Sequence, residues 1–189
     1  MAASAVALTV FASADVVAQD YAARDVSGWT VAASNDKQGC FLTRVYKRAG
    51  DTTLLLGVDI DSTNRLSVLN ANWSIKPKDR LSLDFRLSNG GFAKHAAIGI
   101  AADGKRGFVT SFEAKFPSHF AASKYLHISR DDIPVEQLKL DGSGAAVAEL
   151  RRCVAGLRAT PAATASDKER PGHIPKDPFA TEAKRKSRK

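Results

Sequence analysis

Residues Leu81 to Ser88 (Leu-Ser-Leu-Asp-Phe-Arg-Leu-Ser) alternate apolar and polar without a break. That is the period of a strand that lays one face on a core. The run ends in Asn89-Gly90-Gly91, a hairpin-type turn signal. Shorter runs predict strands over Trp29–Ala33, Cys40–Lys47, Thr53–Ile60, Leu66–Asn70, Ala96–Ala101, Gly107–Glu113, Tyr125–Ser129 and Val135–Leu140. Turn residues punctuate them at Ala49-Gly50-Asp51, Asp61-Ser62-Thr63-Asn64, Lys76-Pro77-Lys78-Asp79 and Asp103-Gly104-Lys105. Many short strands, with no strand–helix alternation, predict a mainly β fold: an antiparallel β-sandwich or a partly open barrel.

The period changes near the end of this region. From Ser143, read as an N-cap, Val147, Leu150, Val154 and Leu157 recur at helical spacing, with Ala146 and Cys153 beside them and Glu149, Arg151 and Arg152 opposite. The pattern predicts an amphipathic helix over Ser143–Ala155, with Gly156 placed to end it. A second, short helix is predicted around Pro117–Ser123.

Both ends depart from these patterns. Residues 1–14 are small or apolar with no charge, a run shorter than the roughly 20 residues that span a bilayer. With Val16-Val17-Ala18 before Gln19 it fits a secretory signal over 1–18, although no Lys or Arg precedes it. After Leu157 the chain holds most of its prolines and ends in Lys184-Arg185-Lys186-Ser187-Arg188-Lys189. Such composition cannot bury enough apolar surface to offset its ordering entropy, so 158–189 is expected to be a disordered basic tail. The tail carries nine Lys and Arg against four acids, so +5 of the net +8 lies there. The β-rich domain over 19–157 is therefore only mildly basic, which argues against a nucleic-acid partner. The tail suits peripheral contact with an anionic surface, at about 1 kcal/mol per basic residue and screened by salt.

Cys40 and Cys153 are the two cysteines. Free thiols are the rule in the cytosol, but in an exported chain the pair is expected to oxidise, and two cysteines allow one pairing. A loop of this length would stabilise the fold by about 4–5 kcal/mol on the chain-entropy account. No Cys-x-x-Cys or His-x3-His spacing suggests a metal, and none is expected.

Leu138-Lys139-Leu140-Asp141-Gly142-Ser143-Gly144-Ala145-Ala146, followed by Leu150-Arg151-Arg152-Cys153, resembles the ending of small exported envelope proteins of Gram-negative bacteria. Together with Trp29-Thr30-Val31 and Gly39-Cys40, it is similar to invasion-associated locus B-like periplasmic proteins. The resemblance implies a β-rich envelope protein without an agreed catalytic set, and carries over Cys40 and Cys153 as its bridge.

Candidate chemistry is sparse. Asp59-Ile60-Asp61-Ser62-Thr63-Asn64 offers oxygens for calcium but lacks the Gly and distal Glu of a helix-loop-helix site, and the same residues build ordinary turns. His95, His119 and His127 are candidates to pair with Asp131 or Asp132 in acid–base chemistry, with Ser111, Ser118 or Ser123 as nucleophile. None of these serines lies in a Gly-x-Ser-x-Gly elbow. Asn89-Gly90-Gly91-Phe92 and Lys105-Arg106-Gly107-Phe108 lack phosphate-loop spacing, and Trp29, Trp73, Phe85, Phe108 and Phe112 read as core. No catalytic residue and no cofactor is assigned. The expectation is a periplasmic or secreted, non-enzymatic protein that binds another protein or the cell envelope. The alternative is a cell-wall, ester or glycan hydrolase using a histidine–carboxylate pair.

Overall fold

The computed structural model describes residues 21–159. The signal expected over 1–18, and all but the first two residues of the tail expected over 158–189, lie outside the described residues. The elements run β1 (Arg24–Val26), β2 (Trp29–Ala33), β3 (Gly39–Tyr46), β4 (Thr52–Asp59), β5 (Asn64–Asn70), β6 (Arg80–Leu87), β7 (Gly90–Ala102) and β8 (Lys105–Ser111). Then come α1 (Phe116–Ala121), β9 (Tyr125–Arg130), β10 (Ile133–Lys139) and α2 (Ser143–Ala159). The strands form one antiparallel sheet in the order β1-β2-β3-β4-β5-β8-β7-β6-β9-β10, with free edges at β1 and β10 and no closure into a barrel.

Hairpins make most of the connections. Ser27 and Gly28, and again Asp103 and Gly104, both sit at positive φ, as a two-residue turn matching strand twist requires. Two connections cross the sheet instead. Residues 71–79 pass from β5 to β6 over the ends of β8 and β7, and the stretch containing α1 carries the chain from β8 to β9.

Alternation places one face inward. Leu42 of β3, Leu54 and Leu56 of β4, Leu66 and Val68 of β5, Phe85 of β6 and Phe108 of β8 are fully buried. They form one core with Leu126, Ile128 and Leu138 of the last strands, Phe116 and Phe120 of α1, and Val147, Leu150 and Val154 of α2. α2 lies against β2, β3 and α1. Cys153 on its inner side is bridged to Cys40 of β3, with Cα atoms 6.2 Å apart and a sequence separation of 113.

Three local expectations are corrected and one element is new. α2 runs through Gly156 to Ala159, two residues into the stretch read as tail, because no left-handed residue stops it at 156. α1 spans Phe116–Ala121, starting one residue before Pro117 and ending short of Ser123. β7 begins at Gly90, well before Ala96, because the chain turns tightly at Ser88–Asn89 and pairs at once with β6. β1 has no counterpart in the sequence reading, since three residues are too few to show a period.

β1 is tied down by a charged cluster. Glu149 on α2 is buried, accepts from Tyr21 Oη at 2.7 Å and Arg24 at 2.9 Å, and pairs with Arg152 at 2.6 Å. The tyrosine hydrogen bond and the two arginines hold the Glu149 carboxyl below its usual range. Burial and that same carboxylate push the Tyr21 phenol up to about 12.

Candidate functional site

Tertiary geometry first matters where β3 meets β10. Arg44, Tyr46 and Arg48 recur at the two-residue spacing that puts side chains on one face of an extended chain. Arg44 donates to Asp141 O at 3.0 Å, Tyr46 Oη to Lys139 O at 2.6 Å, and Arg48 to Gln137 O at 3.2 Å. Trp29 Nε1 joins them on Asp141 O at 2.9 Å. Each guanidinium packs near the Tyr46 ring, at 5.4 Å for Arg44 and 5.6 Å for Arg48. Arg48 also pairs with Glu136 at 2.7 Å, and Thr52 donates to the other oxygen of that carboxylate. This seam of side chains fastens an early strand to the last one without a backbone ladder. Burial pushes the Tyr46 phenol up to about 12, so it stays a donor.

Beside the seam lies a cleft of about 320 Å³ under residues 71–79. Its walls are Trp73, Ile75, Leu81, Leu83, Phe108 and Val135, with Pro134 and the exposed Arg130. Trp73 is half-buried and stacks on Phe108, centroids 6.1 Å apart and planes within 9°. Trp73 was expected in the core; it lines this cleft, because the crossing connection carries it over β8. The connection is held to β7 through one glycine. Lys78 N donates to Gly99 O, and Gly99 N to Asp79 O, both at 2.8 Å. A Cβ at Gly99 would run into the Lys76 carbonyl oxygen, so only glycine lets the segment settle this close. Among the described residues, the Arg130 guanidinium has no ion pair or hydrogen bond.

Pro134 and Val135 also border a second, polar groove of about 680 Å³ containing Arg86, His127, Asp131, Asp132 and Glu136. Register aligns Arg86, His127 and Gln137 on neighbouring strands. His127 thus lies in one groove with both predicted carboxylates. Its ring is exposed and makes no hydrogen bond or ion pair among the described residues, the nearest ring being Tyr125 at 5.9 Å.

The other candidates disperse. His95 on β7 stacks on Phe112 at 4.4 Å and donates from Nε2 to Ser111 O at 2.9 Å, inside an aromatic pile with Phe85, Phe92 and Phe116. Phe112, expected in the core, is half-buried at its edge. His119 sits on α1, where its carbonyl accepts from buried Ser123 at 2.8 Å. Ser118 Oγ accepts from Arg151, and Ser111 offers His95 its carbonyl and not its hydroxyl. The Asp59–Asn64 turn spends its oxygens on protein: Asp59 on Arg65, Asp61 on Thr63 N, Ser62 on Arg158. Among the described residues, no three His, Cys, Asp or Glu side chains gather as a metal site, and no helix is long and apolar enough to cross a membrane.

No family model and no curated protein matches the chain. Its fold is similar to the crystal structure of invasion associated protein B from Bartonella henselae, with a TM-score of 0.52 at 12% identity. The match covers 69% of this chain and 96% of that one. The likeness agrees with the resemblance read from residues 29–40 and 138–153.

Proposed function

We propose that the chain is an exported protein, periplasmic or secreted, that acts by binding another protein and not by catalysis. The observation that carries this is the cleft at Trp73, Phe108 and Val135. It combines an aromatic stack, aliphatic walls and an uncompensated arginine, the residue types that concentrate binding energy at interfaces. Its chemistry suits a partner segment presenting a large apolar side chain beside a carboxylate. The Cys40–Cys153 bridge supports export, since such bonds persist in oxidising compartments. The excess of Lys and Arg over 158–189 adds a salt-sensitive attraction to anionic envelope surface.

The test is quantitative capture from an envelope extract by the wild-type chain and by Trp73→Ala and Arg130→Glu. A protein retained by the wild type and depleted about tenfold or more by both variants is the expected result. Identical capture by all three proteins overturns the reading. So does ester or glycan hydrolysis that His127→Ala abolishes.

A further inference from the structure

The cleft at Trp73 is bordered by a stretch of chain whose main-chain groups are unspent. Both ends of the crossing connection are pinned. Ala71 N donates to Gly50 O at 2.8 Å, Lys78 N to Gly99 O at 2.8 Å, and Lys76 N to the Asp79 carboxylate at 2.9 Å. Between these anchors residues 73–76 form neither helix nor turn. Asn72, Ser74 and Lys76 are exposed while Trp73 and Ile75 are half-buried, which is the two-residue period of extended chain. Pro77 reinforces it, because the residue before a proline is pushed to extended conformations.

The N–H and C=O of both Ser74 and Ile75 make no hydrogen bond among the described residues. Successive residues of an extended chain aim these groups at opposite edges. Whichever edge faces the cleft therefore carries a donor and an acceptor on one residue, the unit that a neighbouring strand engages. The side chains around it are open as well. Trp73, Ile75, Leu81 and Val135 are each half-buried, so they keep apolar surface toward the cleft. Arg130 is the one charged residue in its lining, and it is exposed at the rim with no acid beside it there.

We infer that the cleft takes its partner as an extended peptide strand, laid main chain to main chain along Ser74 and Ile75. An apolar side chain of that strand sits between Trp73 and Val135, and a carboxylate two residues along meets Arg130. Side chains at i and i+2 of a strand point the same way about 7 Å apart. Main-chain pairing then supplies affinity, and the two side chains supply selectivity. A helical epitope has its own backbone groups spent within the helix and would leave Ser74 and Ile75 unpaired. The inference rests on the cleft reading above and adds the mode of recognition. It concerns the crossing connection, which is separate from the β1 and β10 margins of the sheet.

Heteronuclear NMR titration of the full chain with acetyl-Ser-Thr-Phe-Thr-Glu-Thr-Ser-amide tests it. Saturable shifts are expected at the Trp73 indole, with the indole of buried Trp29 as the internal reference. At saturation, amide exchange at Ser74 or Ile75 should slow about tenfold or more, as a newly paired N–H requires. N-methylation walked along the peptide should weaken binding about tenfold at every second amide and little at the amides between. Replacing its Glu by Lys should weaken binding about tenfold, and much less so in Arg130→Gln. The exchange and N-methyl measurements use the wild-type chain and do not depend on any variant folding. Binding with unchanged exchange at both residues, or with no alternation in the N-methyl series, overturns strand addition while leaving the cleft as a binding site. Absence of binding overturns it too, and capture from envelope extract decides the cleft reading separately.

Discussion

β3 is fastened to the last part of the chain twice, and the two fastenings work differently. At one end Cys40 is joined covalently to α2; at the other, Arg44, Tyr46 and Arg48 hydrogen-bond to the carbonyls of Asp141, Lys139 and Gln137. The bond acts largely by narrowing the unfolded ensemble, and its native neighbours need contribute little. The seam acts only in the folded state, where it satisfies polar groups that would otherwise be left without partners. One is therefore sensitive to reductant, the other to the loss of single donor atoms.

Breaking the covalent fastening should have the largest effect. Cys40→Ser/Cys153→Ser, or reduction of the native chain, is expected to cost about 4–5 kcal/mol in denaturant unfolding, given a sequence separation of 113 between the cysteines. A loss under about 1 kcal/mol would show that the core alone orders α2 on the sheet. Next comes the seam: Tyr46→Phe removes one donor while keeping the ring, at an expected cost of about 1 kcal/mol. The Tyr46 phenol is raised above its unfolded value of 10.0 to about 12. Its contribution is therefore complete below pH 10 and fades as pH rises through the folded value. The difference between wild type and Tyr46→Phe should stay flat from pH 6 to 9, whereas reductant should not alter it. Arg48→Ala is expected to cost a similar amount, since it leaves the nearly buried Glu136 carboxylate with Thr52 as its remaining side-chain donor.

The smallest effect concerns Glu149, which tethers β1 and contrasts with both fastenings in its response to acid. Its carboxyl is held below its unfolded value of 4.5. The stabilisation is present above that value and is lost as pH falls through the lower, folded one. Glu149→Gln should thus be less stable than wild type at pH 7, with the gap closing toward pH 3. A gap that widened in acid would contradict the assignment.

Much of the fold was legible because it is local. Leu81–Ser88 alternates without fault, and Val147, Leu150 and Val154 keep helical spacing, so β6 and α2 follow from period alone. Pairing Cys40 with Cys153 needed no register, because two cysteines allow one bond. The binding features were not legible, because they depend on which strands meet. Arg44-x-Tyr46-x-Arg48 was visible as alternation, yet nothing local says that its partners are the β10 carbonyls. Gly99 inside an otherwise regular strand was the one trace of the crossing connection, as an isolated strand glycine often marks close backbone approach. Without that topology Trp73 reads as core, and nothing singles out His127 from His95 and His119 as the histidine that shares a groove with Asp131 and Asp132.

The seam also bears on how the molecule behaves in a crowd. An open sheet normally presents its last strand as a template on which another chain can add, the first step toward polymers and fibres. Here Gln137 O and Lys139 O of β10, and Asp141 O just beyond it, are already engaged by Arg48, Tyr46 and Arg44, and a bulge at Pro134–Glu136 breaks its line. At the opposite margin β1 is three residues long. An incoming strand would have to evict two arginines and a tyrosine to gain a ladder, so the open sheet is left with almost no edge to recruit on.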